Sequence, residues 1–374
     1  MALKFINPFN GTPTKIRLTE LFLFHPHTYL DIAGHSISRA FKLMGKESLL
    51  KRFDAIKPED KVSPDRLRSL ITEMLDASET PDALRRKFLE DLERAIGEDE
   101  KGEFNPASMG MYEAAVVAFN PSGKQLGAPQ EFLLEIERES RAAFALMHKR
   151  RFEEAAQEIL DSKFFAPFLW GGIRDALGRV TDFGTLLILR ASIAMEVFLA
   201  VMVVYESEYE ATTGQGDQSC VLDLWPIVGP KAKNPFGMLF EWTKRESGAS
   251  TQREFFDHPA LREIEMDELR LKRWSSGTHQ PRKEWLDRIA AGLWGNAEHP
   301  AFQMRLAYAQ QVNFLGHFSQ LLVALFPKEM TASQSLEAYP WPNYPHDLSD
   351  FADWGRTRYP VWREYARDYR AKFE

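Results

Sequence analysis

The most apolar stretch of the chain is LLILRASIAMEVFLAVMVV, from Leu186 to Val204, and few folds can accommodate such a segment. Its length approaches the ~20 residues that cross a bilayer. Arg190 and Glu196 sit inside it, and charges of that kind cost about 2.5–3.5 kcal/mol each at a bilayer centre on insertion scales. The reading that satisfies both facts is a central helix buried on all sides, with its two charges partnered inside the protein. A helix that is apolar around its whole circumference needs other elements against every face. The expected fold class is therefore mainly α, a multi-helical body with few or no strands.

Size and composition agree with that expectation. The chain has 374 residues, enough for two or three domains or one large helical one, since single cores stop growing efficiently near ~250–300 residues. Hydrophobic residues make up 44% and charged residues 27%, a globular balance that excludes a disordered or fibrous chain. The net charge of -7 excludes one basic face across the whole molecule, so any nucleic-acid contact has to be local. Cys220 is the only cysteine, which rules out an intramolecular disulfide and a cysteine-held metal. The opening MALKFINPFNG is broken by Asn7, Pro8 and Asn10 and lacks the apolar core of a secretory signal. Cytoplasmic residence, without membrane, metal or cofactor, is the expectation that follows.

Punctuation along the chain divides it into five stretches. Residues 1–45 are aromatic and proline-broken, with a short hairpin expected around Asn10-Gly11. Residues 46–205 read as a helical domain. Ser63-Pro64-Asp65 and Thr80-Pro81-Asp82 each start a helix, further helices run from Pro129 to His148 and Phe152 to Leu160, and a turn at Gly171-Gly172 leads into the apolar run. Residues 206–233, with GQGDQS and Pro226 and Pro230, read as a connector carrying one short strand at Cys220–Leu224. Residues 234–298 form a module of four short helices, PFGMLFEWTKRESG, STQREFFDHPAL, MDELRLKRWSSG and PRKEWLDRIAAGLW. Residues 299–374 comprise a long helix from Ala301 to Phe326 and an aromatic-rich, proline-bent strap.

The four-helix module carries the clearest functional signal. In LKRWSSGTHQPRKEWLDRIAAGL a basic helix closes on Trp-Ser-Ser-Gly, and a proline opens the next helix, whose apolar face is Trp285, Ile289 and Leu293. This resembles the repressor-type (XRE-like) helix-turn-helix family, over about a sixth of the chain. The resemblance implies a recognition helix in the third position, reading double-stranded DNA. Between Arg270 and Arg288 six Lys or Arg face two acids, a local balance of +4, which is the kind of patch a phosphate backbone attracts. Arg270, Lys272, Arg273, Arg282 and Lys283 are the expected phosphate contacts, with Ser275, Ser276 and His279 as nearby polar groups. The module departs from the family in two places. Glu263, Glu265, Asp267 and Glu268 crowd the start of the third helix, and the second helix lacks the Gln-x-x-Leu-Ala pattern.

Other constellations carry less. Arg141 and His148 lie seven apart on one helix, and the spacing is similar to the Arg-x4-6-His motif of the HEPN ribonucleases, although Ala142 replaces the polar residue usual after the arginine. That resemblance implies an alternative function, a helical ribonuclease or toxin effector. His25, His27, His35 and Asp31 lack a recognised ligand motif, and neither a Walker A loop nor a Gly-x-Ser-x-Gly elbow is present. In the tail, aromatics from Tyr339 to Phe373 alternate with Arg356, Arg358, Arg363, Arg367 and Arg370. Such interleaving suits single-strand binding, but packing of the rings on the helical core is the favoured reading.

The leading expectation is a non-enzymatic helical protein that binds DNA or a protein partner through the module, with its helical body serving assembly or homo-oligomerisation. A subunit of a mobile-element or phage-defence complex would suit such a chain. A purely structural scaffold subunit is the remaining alternative.

Overall fold

The computed structural model describes residues 2–6, 13–17, 48, 51–52, 64–77, 126–214, 219–229, 232–264, 266–276, 281–329 and 348–373, with six further positions between 82 and 93. The protein is mainly α-helical and multi-helical, with thirteen α-helices and one two-stranded hairpin among these residues. The hairpin joins β1 (Ala2–Ile6) to β2 (Pro13–Arg17) in antiparallel register, Ala2 opposite Arg17 and Ile6 opposite Pro13. The expected turn at Asn10-Gly11 lies between them, outside the described residues, as does the His25–His35 segment.

The chain forms two compact units. One comprises Glu20–Asp31 and His35–Arg190, the other Met1–Thr19, Ile32–Gly34 and Ala191–Glu374.

In the first unit, α1 (Pro64–Ala77) starts at the expected Ser63-Pro64 signal and buries Leu70, Ile71 and Leu75. The pair α2 (Ala128–His148) and α3 (Phe152–Asp161) packs side by side. Arg150, in the left-handed region at φ 59°, turns the chain between them. Phe132, Phe164, Phe165 and Phe168 form an aromatic cluster with ring centroids 5.3–6.5 Å apart. Gly171 and Gly172 both have positive φ, as a turn leading into α4 (Ile173–Leu177) demands.

The apolar run becomes α5 (Phe183–Thr213), in which an eighteen-residue window is completely buried. Of the two charges inside it, Glu196 meets the expectation of a partnered charge, while Arg190 finds only a neutral acceptor among the described residues. Arg190, in the first unit, donates to the sulfur of Met147. Glu196, in the second, accepts from the Trp354 and Trp362 indoles and the Arg358 guanidinium.

The second unit differs from expectation in three places. The helix α5 continues to Thr213, well into the stretch read as a connector. The strand expected at Cys220–Leu224 is a helical turn, α6 (Cys220–Asp223), because the Ser219 hydroxyl caps it by accepting from the Leu222 amide. The proline-bent strap is a continuous helix over its second half, α13 (Leu348–Arg370), with Pro360 in its interior. The long helix expected from Ala301 is α12 (Pro300–Glu329), which packs against α6 and α13. Trp225 follows α6 and stacks on Phe351 of α13 with centroids 5.1 Å apart.

Candidate nucleic-acid interface

The 234–298 module is built from five helices. They are α7 (Pro235–Glu246), α8 (Gln252–Asp257), α9 (Pro259–Glu263), α10 (Glu268–Ser275) and α11 (Lys283–Trp294). The second expected helix divides in two because Pro259 cannot donate the amide that would continue α8, and His258 at the junction is extended. Local capping sets the other boundaries. Thr251 and Glu254 form a reciprocal capping box, and Asp267 accepts from the Arg270 amide at 2.6 Å to start α10.

The end of α10 is tied to the start of α7. The Asn234 side chain accepts from the Gly237 amide at 2.8 Å and donates to the Trp274 carbonyl at 2.9 Å. A Cβ on Gly237 would approach Ser275 to 3.2 Å, so the two backbones meet closely there. Trp274 stacks on Phe240 at 5.7 Å and meets Trp285 at 6.4 Å. Leu271 and Trp274 face inward with Phe255, Leu261, Leu286 and Ile289. The Trp-Ser-Ser segment therefore anchors α10 in the module's core, and the face of α10 opposite those anchors is left open.

That open face is Leu269, Lys272, Arg273 and Ser276, all exposed and spaced i, i+3, i+4, i+7. Leu269 retains 56% exposure, unusual for a large apolar side chain on a short helix. The Ser276 hydroxyl donates to the Arg273 carbonyl at 3.1 Å. Arg270 has another task. Its guanidinium lies 3.9 Å above the Trp285 ring, with Asp267 at 3.8 Å, and one of its terminal nitrogens is buried without a hydrogen bond. Ser275 is half-buried beside Gly237. Arg282 and Arg288 are exposed beside and on α11, the Arg288 guanidinium 5.0 Å from the centre of the Trp285 ring. For Lys283 only the helical position is described, and His279 lies outside the described residues. Asp267 and Glu268 are exposed at the amino-terminal end of α10, where acids complement the helix dipole, and Glu263 is exposed at the end of α9.

The remaining sequence candidates lie elsewhere. Arg141 pairs with Glu137 at 3.7 Å on its own helix, α2, and His148 is the last residue of that helix, its side chain outside the described set. Burial pushes the Cys220 thiol up to about 11, so it is protonated and inert near neutral pH. Among the described residues no group of acids, histidines and cysteine is placed to hold a metal ion.

Sequence reasoning missed a polar network between α5 and α13. Three indole or guanidinium donors converge on Glu196: Trp362 at 2.6 Å, Trp354 at 2.9 Å and Arg358 at 3.0 Å. Glu206 accepts from the Val221 amide at 2.8 Å and the Tyr359 hydroxyl at 2.5 Å. Burial pushes its carboxyl up to about 7. Arg363 reaches both oxygens of Glu210 at 3.0 and 3.1 Å. The aromatics of α13 are mostly buried: Phe351, Trp354, Tyr359, Trp362 and Tyr369. Within α13 the rings thus pack on the helical core, as the favoured reading has it, while Tyr339, Trp341 and Tyr344 lie outside the described residues.

No protein-family model, no curated protein and no solved structure matches this chain.

Proposed function

We propose that the chain binds double-stranded DNA through α10, with the phosphate backbone held by Lys272 and Arg273 and supported by Arg282 and Arg288. The observation that carries this reading is the open face of α10. A helix anchored from behind by Leu271 and Trp274 offers solvent a stripe of one apolar side chain, two cations and a hydroxyl. A groove-binding helix needs that division, because cations position it on phosphates while apolar and polar groups meet base edges. Arg270 contributes through Trp285, by holding α10 and α11 together, and not as a phosphate ligand.

The acids at the start of α10 shape the prediction. Glu263, Asp267 and Glu268 repel phosphate, so approach is by the carboxy-terminal half of the helix, where Lys272, Arg273 and Ser276 lie. Fluorescence anisotropy of the full chain on a mixed-sequence duplex, over a salt series, tests this. The Lys272→Glu, Arg273→Glu double variant should weaken binding at least tenfold and make the log–log salt dependence shallower by about two. Equal affinity and slope in the variant and the parent chain would remove the assignment.

A further inference from the structure

The carboxy-terminal half of α5 and the last turns of α13 line an open cleft of about 130 Å³. Its floor is Val203 and Glu206, which are almost completely buried. Its rim is Ser207 and Glu210 on one side and Arg363, Arg367 and Arg370 on the other. The three arginines are spaced i, i+4, i+7, so one face of α13 presents three guanidinium groups to the same opening.

Two of these groups are fixed in place. Arg363 is held by Glu210 and by the Tyr359 hydroxyl at 2.8 Å, and Arg370 donates to the Ser207 carbonyl at 2.8 Å. Arg367 lies one turn from each and is exposed, and its guanidinium makes no hydrogen bond or ion pair with the described residues. The acids of the cleft are already engaged. Glu210 is paired with Arg363, and Glu206 accepts from the Val221 amide and the Tyr359 hydroxyl. The cleft therefore has an excess of cationic donors, two of them pinned beforehand and one waiting, and Ser207 adds a hydroxyl at the rim. Pinned donors lose little freedom when a ligand arrives, and planar guanidinium forks suit tetrahedral oxyanions.

We propose that this cleft is a binding site for a phosphate group, free or on a small ester, held by Arg367 and Arg370 with Ser207. The cleft is lined by α5 and α13 alone, with no residue of α10 at it, so the site does not depend on the α10 face.

Isothermal titration of the full chain with inorganic phosphate and with phenyl phosphate tests the proposal, against sodium chloride at matched ionic strength. Saturable binding of at least one probe is expected. Equal affinities would identify free phosphate as the ligand chemistry, and a preference for phenyl phosphate would identify an ester. Arg367→Gln, at an exposed position, should leave the thermal midpoint unchanged and weaken binding at least tenfold. Arg367→Lys, which keeps the charge and loses the fork, should fall between. The Lys272→Glu, Arg273→Glu variant should bind phosphate as the parent chain does, which separates this site from the DNA reading. Phosphate and phenyl phosphate acting no differently from chloride, or full binding retained in Arg367→Gln, would overturn the proposal.

Discussion

At the scale of single residues, Gly355 shows how little room the contact between α13 and the chain after α6 leaves. A Cβ built there would lie 1.9 Å from the Trp225 ring. Trp225 cannot give way, because it is buried, stacked on Phe351 and donates its indole N–H to the Phe351 carbonyl at 3.3 Å. The glycine is required for close approach and not for its backbone freedom. Gly355→Ala should therefore destabilise the protein by about 1–3 kcal/mol or more, the cost of overpacking a filled core. Urea unfolding followed by Trp fluorescence measures this, and an unchanged midpoint would mean that the contact is looser than described. Glu196 illustrates the opposite economy at this scale. A carboxyl group with no exposed surface is tolerated because three donors, two tryptophans and an arginine on one face of α13, reach it.

At the scale of elements, α13 keeps a proline where helices seldom do. Pro360 has no amide to donate to the Arg356 carbonyl, and a proline in a helix interior costs about 3 kcal/mol. Its side chain is exposed, so it contributes no compensating burial. Pro360→Ala should raise stability by roughly 1–3 kcal/mol, read as a higher thermal midpoint. A lower midpoint would show that the proline shapes the backbone that brings Tyr359 and Arg363 to α5. Helix boundaries were largely legible in the sequence at this scale. Ser63-Pro64, the Pro129–His148 amphipathic pattern and the Trp274-Ser-Ser turn all rest on interactions within a few residues. The reading failed at α13. Phe351, Trp354, Arg358, Trp362, Ala366 and Tyr369 do form a helical stripe, but Pro340, Pro342, Pro345 and Pro360 read as a bent strap. At Cys220 the β-favouring Cys-Val-Leu lost to the Ser219 cap, a single hydrogen bond that outweighs a weak propensity over four residues.

At the scale of the whole molecule, charge that is buried couples stability to pH. The Glu206 carboxyl is raised by burial from an ordinary 4.5 to about 7. Between those values the folded protein holds a proton that the unfolded chain has released. The stabilising contribution of this group is thus complete below pH 4.5 and is lost as pH rises through about 7. Thermal unfolding across this window should show Glu206→Gln with a flatter pH dependence than the parent chain. Parallel curves would place the titrating group elsewhere. The sequence alone determined that the chain is helical, where many of its helices begin and end, and that a helix buried inside the protein is the better reading of the apolar run. These follow from periodicity, caps and the cost of exposing apolar surface, all of which act within a turn or two of chain. Only the tertiary structure decided which partners the charges in that run take. Glu196 and Arg358 stand 162 positions apart, and no local pattern specifies that a buried carboxylate will be met by one distant arginine and two distant indoles. That choice follows from which helices pack together, and the same packing gathers Arg363, Arg367 and Arg370 of α13 around one cleft against α5.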